Sequence, residues 1–326
     1  MLKMRLTAGP SEVCASPAMN SFDTLLTGRS PEFLAVTRSA RVVAATDVNV
    51  LLLGETGTGK QRMARAIHLG SPRSEGPFVT VNCSALPESE AQALLFGRSE
   101  RNFSAADQEQ QGSVAAADGG TLFLDEVAEL PLPLQGKLLR FMETGEYVPV
   151  GQARLERVDV RIVAATKQDL GRQVECGQFR ADLYYRLNVV PLELPPLRNR
   201  PDDVALLLEQ LSAELAQHHG LAAPRYSREA LRLLRHHPWP GNVRELRNFA
   251  ERMLVLLPGT SITQDNLPRE MRQPEGAAAT PGSGFHLPEN GIRLEDLEVD
   301  LIRQALALTR GNRSRAARLL GLTRDT

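Results

Sequence analysis

Between Leu25 and Leu197 two periodicities alternate along the chain. Short apolar runs of β character, at Val48 to Leu53, Phe78 to Val81, Thr121 to Leu124 and Val158 to Ala164, are separated by stretches with helical spacing. Runs that are apolar on both faces need cover from both sides. The alternation therefore predicts an α/β domain over residues 25–200, a mostly parallel sheet flanked by helices. After Pro201 the pattern is helical throughout, at Asp203 to His218, Ser227 to His236 and Asn242 to about Leu257, which predicts a small all-helical domain over 201–272. Residues 273–291 carry glycine and proline clusters and almost no apolar periodicity, the pattern of a flexible linker. Leu294, Leu297, Leu301, Ile302, Ala305 and Leu308 return to helical spacing, and Gly311-Asn312 stops that helix. A shorter helix is expected from about Ser314 to Leu320. A third would open at Gly321-Leu322-Thr323, so with the sequence reaching Thr326 the module over 292–326 is expected to be incomplete. Residues 1–24 show no clear period and are expected to form a loose leader.

Composition narrows the class without choosing a function. A hydrophobic fraction of 42% over 326 residues supports a large core plus smaller modules and argues against disorder. A formal net charge of -1 supplies no global basic field, so any contact with nucleic acid must come from a local patch or from several copies. Cys14, Cys83 and Cys176 are widely spaced and odd in number, which suggests neither a disulfide framework nor a zinc site. No apolar run approaches the roughly 18 to 20 residues that span a bilayer, and no signal-peptide order is present, so a cytoplasmic protein without membrane contact is expected.

Two motifs carry the chemistry. Gly54-Glu55-Thr56-Gly57-Thr58-Gly59-Lys60 fits G-x-x-x-x-G-K and lies between an apolar strand and a helical stretch that opens at Gln61. Its glycines let backbone N–H groups turn toward a β-phosphate, the following helix adds its positive end, and Lys60 is placed to reach the β- and γ-phosphates of ATP. Asp125 and Glu126 end the run Gly120 to Leu124. One carboxylate can hold Mg²⁺, here Asp125 through water, and the second, Glu126, can polarise an attacking water, a division of labour that points to hydrolysis. Gln61 stands where a Ser or Thr usually meets the metal, which leaves more of that task to water and the acidic pair.

With these motifs placed, residues from about Leu25 to Arg272 resemble the AAA+ domain of bacterial enhancer-binding proteins, which remodel RNA polymerase carrying sigma-54. The strings that carry the resemblance include Val81-Asn82-Cys83, Leu95-Phe96-Gly97, Asp118-Gly119-Gly120, Phe179-Arg180-Ala181-Asp182, Leu194-Pro195-Pro196-Leu197-Arg198 and Trp239-Pro240-Gly241-Asn242-Val243-Arg244. The resemblance implies an AAA+ P-loop fold with a helical lid. It also implies that Asn82 hydrogen-bonds the catalytic glutamate, Thr166 senses the γ-phosphate, and Arg244 ties the lid to nucleotide. Arg180 and Arg186 resemble arginine fingers, which implies a homo-oligomeric ring, a hexamer by family habit, whose sites are shared between neighbours.

Two segments depart from the family pattern. The loop that touches sigma-54 is Gly-Ala-Phe-Thr-Gly-Ala in the family and Arg101-Asn102-Phe103-Ser104-Ala105-Ala106 here. Phe103 and Ser104 keep the aromatic and the hydroxyl, but the loss of both glycines removes backbone freedom and predicts impaired engagement of sigma-54. Lys167 stands where an Asn usually follows Thr166, which predicts altered phosphate sensing. The last segment, Gly311 to Leu322, resembles the start of a Fis-type helix-turn-helix in which Arg313, Arg315 and Arg318 would face DNA phosphates. Base readout would need the rest of the recognition helix. Two functions remain in view: an ATP-hydrolysing transcriptional regulator acting on sigma-54 polymerase, and a sigma-54-independent DNA-binding regulator that uses ATP only to control oligomerisation. A metabolic P-loop kinase is disfavoured, because nothing resembles a phosphoacceptor site.

Overall fold

Each strand of the central sheet is short, apolar and parallel to its neighbours. In the computed structural model, which describes residues 22, 24–84, 87–98, 111–272, 294–309, 312, 313, 315, 317 and 320, the strands are β1 (Val50–Leu53), β2 (Phe78–Asn82), β3 (Thr121–Asp125), β4 (Arg161–Thr166) and β5 (Val190–Glu193). They lie in the order β2-β3-β4-β1-β5, with every pairing parallel. β1 and β4 are buried along nearly their whole length, as central strands covered on both faces must be. The helices α1 (Pro31–Ala44) and α2 (Lys60–Leu69) cover one face with Phe33, Met63 and Ile67, and α3 (Glu88–Phe96), α4 (Leu132–Thr144) and α5 (Ala181–Leu187) cover the other with Leu95, Leu138 and Leu183.

Two expectations about strands need correction. β4 begins at Arg161 and not at Val158, because Arg161 N bonding to Gly120 O at 3.1 Å is its first rung, whereas Val158 N and Asp159 N bond to Gly145 O and to the Asp118 carboxylate. β5 lies outside the expected apolar runs. It is an edge strand with Pro191 inside it, tolerated because an edge leaves one row of N–H groups without a ladder partner.

Ser30 is the N-cap residue of α1, with Pro31 following in the first turn. The buried Asp203 accepts from the amides of Arg29 and Ser30 at 2.6 and 3.0 Å and from the Ser30 hydroxyl at 3.0 Å. At the other end Arg161, also buried, donates to the carbonyls of Ala44 and Val43 at 3.1 and 2.9 Å, satisfying the last turn and complementing its partial negative charge.

The helical part comprises α6 (Pro201–His219), α7 (Arg228–His236) and α8 (Asn242–Leu256), packed around Trp239, Leu208, Leu246 and Phe249. Trp239 is fully buried, donates its indole N–H to Leu234 O at 2.8 Å and meets Phe249 edge-on at 5.9 Å. This part and the sheet belong to one compact unit, Met1–Glu275, and Gly276–Thr326 form a second. In the second unit the helix Leu294–Leu308 lies where the periodicity expects it, and of the three basic residues Arg313 and Arg315 are exposed. Arg318, Phe103, Ser104, the expected linker and nearly all of the expected leader lie outside the described residues.

Candidate active site

Parallel strands all end on the same side, and ligands of open α/β sheets bind beyond those ends. Register brings the candidate groups together there. Leu53, the last residue of β1, pairs with Thr166 at the end of β4, Asn82 pairs with Asp125, and Gly54 N donates to Thr166 O at 3.3 Å. The resulting cleft, about 280 Å³, is lined among others by Thr56, Gly59, Lys60, Gln61, Asp125 and Arg244. A larger hollow of about 490 Å³ opens at the opposite strand ends near Asn49 and Asp118, away from the P-loop and the acidic pair.

Gly57 and Gly59 have φ of +81° and +105°, values that let the loop wrap, and α2 starts at Lys60 with its free amides toward the cleft. Lys60 Nζ donates to Gly54 O at 2.8 Å and Glu55 O at 3.2 Å, and lies 3.9 Å from Glu126 Oε1. Burial pulls the Lys60 ammonium below its ordinary pKa, against the opposing pull of Glu126 and Asp125. The Asp125 carboxyl is pushed above its ordinary range by burial first and by the adjacent Glu126 second. Burial pushes the thiol of Cys83 up to about 12, so this cysteine is a packing residue.

Glu126 adopts left-handed backbone, φ 54° and ψ 52°, an uncommon conformation for glutamate that turns its side chain out of the strand direction. Its carboxylate accepts from Lys167 N at 3.2 Å, so the residue that departs from the family pattern holds the glutamate through its main chain. Asn82 is engaged elsewhere, its Oδ1 accepting from Ser84 N at 3.0 Å and Ser84 Oγ at 2.7 Å. Thr166 is buried and its hydroxyl accepts from Gln168 N at 3.0 Å.

The arginine candidates divide. Arg244 lines the cleft, whereas Arg180 and Arg186 are exposed and do not line it. Arg180 pairs with Asp182 at 2.7 Å, and Arg186 donates to Met142 O at 3.2 Å.

Sequence reasoning assigns no role to four residues that shape the cleft. Arg247, one turn beyond Arg244, also lines it, a placement legible from the i,i+3 spacing on α8. Arg198 makes two hydrogen bonds to Glu55 at 2.8 and 2.6 Å. Arg200, stacked over Phe33 at 4.6 Å, donates to Thr58 O at 3.2 Å. Asn242 bonds both Glu55 and Thr56 O. Arg198 and Asn242 stand inside strings already singled out, but nothing local in those strings reveals contacts across some 140 to 190 residues of chain.

Residues 26–193 match the sigma-54 interaction domain, 198–283 the AAA+ ATPase lid domain and 293–326 the bacterial regulatory protein domain of the Fis family. The transcriptional regulator NtrC of Rhizobium meliloti is 42% identical over 92% of this chain and 68% of its own length. This chain belongs to the sigma-54-dependent family of AAA+ transcriptional activators. ZraR of Escherichia coli is 41% identical over 95% of this chain and 69% of its own. The structure of NtrX from Brucella abortus in complex with ATP aligns with a TM-score of 0.69 at 32% identity, covering 92% of this chain and 67% of that one. As a member of the family the chain is an ATPase that regulates transcription, built from an α/β P-loop domain, a helical lid and a Fis-type helix-turn-helix region. No helix among the described residues is long and apolar enough to cross a membrane.

Proposed function

We propose that this activator hydrolyses Mg-ATP at the cleft between Lys60 and the Asp125-Glu126 pair, as a homo-oligomeric ring that uses the reaction to remodel sigma-54 polymerase. The carrying observation is the 3.9 Å approach of Lys60 Nζ to Glu126 Oε1, with Asp125 beside them, which brings the two motifs to one place. The amides of the loop from Gly54 to Lys60 and the α2 N-terminus receive the phosphates, and Lys60 leaves its backbone acceptors for the β- and γ-oxygens. Glu126, turned out of the strand, takes a proton from the attacking water, and Thr166 contacts the γ-phosphate side of the cleft. Asn82 meets Glu126 by donating from its amide Nδ2, which leaves Oδ1 to Ser84.

The donor set fits a hard dication. Two adjacent carboxylates face the cleft, and among the described residues no cluster of three or more acidic, histidine or cysteine ligands is present, so water and phosphate complete the shell as Mg²⁺ prefers. Bound there, the ion would neutralise charge on the β- and γ-phosphates. Arg180 and Arg186, exposed and outside the cleft of their own chain, complete the site of the next protomer. Phe103 and Ser104 form the polymerase contact, weakened by Arg101 and Ala105, and Arg313, Arg315 and Arg318 meet DNA phosphates, all in the cytoplasm.

Two substitutions test the core of this reading. Lys60→Ala should abolish ATP binding, while Glu126→Gln should retain binding and lose turnover by roughly 10²-fold or more. Undiminished hydrolysis in Glu126→Gln would remove Glu126 as the base.

A further inference from the structure

Asn242 begins α8, is fully buried, and holds a left-handed backbone with φ +51°. Both polar atoms of its amide are engaged. Oδ1 accepts from Leu197 N at 2.7 Å, and Nδ2 donates to Thr56 O at 3.0 Å and to Glu55 Oε2 at 3.2 Å. A backbone N–H can only donate and a carbonyl can only accept, so the orientation of the amide is fixed by its partners. Around it the lid and the phosphate loop are already close. Val243 N donates to Gly57 O at 2.9 Å, and a methyl group on Gly57 would stand 2.3 Å from Gly241 O. Glu55 receives Arg198 on its two oxygens, one of them shared with Asn242.

One side chain thus ties three segments: the loop Glu55-Thr56, the strand-to-lid crossing at Leu197, and the first turn of the helix that carries Arg244. Holding the carbonyl of Thr56 toward the lid helps to keep the loop's amides turned to the cleft. Anchoring the start of α8 sets where Arg244, two residues on, enters it.

We propose that Asn242 is a positioning residue for nucleotide binding, clasping the phosphate loop to the lid through Thr56 and Glu55. The proposal rests on the ATPase reading and adds a residue to it. These contacts act on the loop before any bond changes, so their loss should weaken binding and leave the chemical step nearly intact.

The decisive variant is Asn242→Gly, which keeps the left-handed backbone available and removes the side chain with its amide. Expected is a rise of about tenfold in KM for ATP and in Kd for ADP, with kcat within about twofold of the parent and a cooperative thermal transition retained. Asn242→Asp should bind more weakly still, because a second carboxylate would face Glu55. Adding Glu55→Gln to Asn242→Asp should recover part of the affinity, since the amide introduced at position 55 can donate to the carboxylate introduced at position 242. Unchanged KM in Asn242→Gly, or a fall in kcat at constant KM, overturns the clasp, and no recovery in the double variant overturns Glu55 as its partner. Lys60→Ala, measured alongside, separates the two readings. If the parent binds ATP and Lys60→Ala does not, the ATPase reading stands whatever Asn242 shows; if Lys60→Ala binds as the parent does, that reading fails first.

Discussion

Glu55 occupies a position that the P-loop pattern leaves open, yet it is tied to two residues more than 140 positions away. Its carboxyl is held below the ordinary glutamate range by hydrogen bonds first from Arg198 and then from Asn242. A depressed folded-state pKa stabilises the protein above the unfolded value, and that contribution is lost as pH falls through the folded value. Glu55→Gln should therefore unfold more readily than the parent near neutrality, with the gap closing as the pH is lowered below about 4, as thermal melts across pH would read. A gap that stays constant across that range would remove the ionised Glu55 as its source. Asp125 is shifted the other way, by burial and by Glu126, so the fold loses stability as this carboxyl ionises with rising pH. A dication held there would offset that loss.

At the scale of elements, the phosphate loop and the start of α8 form a single seam. Gly57→Ala places a methyl group against Gly241 O and asks a residue with a side chain to hold φ +81°. It should cost about 1 to 3 kcal/mol in denaturant unfolding and reduce ATP affinity as well, because the lid must shift to admit it. Stability and affinity equal to the parent would show that the seam yields freely. One side of this seam, and the cleft beside it, are legible in the sequence. Gly54 to Lys60 follows an apolar strand, and Asp125-Glu126 ends another, so periodicity and motif together located the cleft. What periodicity could not register is β5, whose Pro191 breaks the pattern at an edge, and the first rung of β4, which is decided by Gly120, the residue just before β3. Asn242 escaped notice for a similar reason. Its left-handed turn and its bonds to Glu55, Thr56 and Leu197 exist only once α8 has docked, and no spacing along the chain encodes them.

At the scale of the whole molecule, the arrangement of Arg180 and Arg186 is informative. Both are exposed, both have local partners in Asp182 and Met142 O, and neither lines the cleft of its own chain. Assembly would exchange those partners for a neighbour's phosphates. Mixing Arg180→Ala protomers with Lys60→Ala protomers should then restore part of the ATPase rate that each lacks alone, because some junctions combine an intact loop with an intact finger. A mixture as inactive as its components would argue that each protomer works with its own residues.

Among the described residues, three that are not glycine hold positive φ: Glu126, Trp239 and Asn242. One is the base of the proposed reaction, and the other two flank the short passage from the lid core to α8. The amide of Val243, next along, closes on Gly57 O, so its exchange with deuterated solvent reports whether that passage ever lifts from the loop. Slow exchange there with fast exchange at the surface of α7 would mean that the two parts travel together through the catalytic cycle, and that the stroke is delivered between protomers instead of within one.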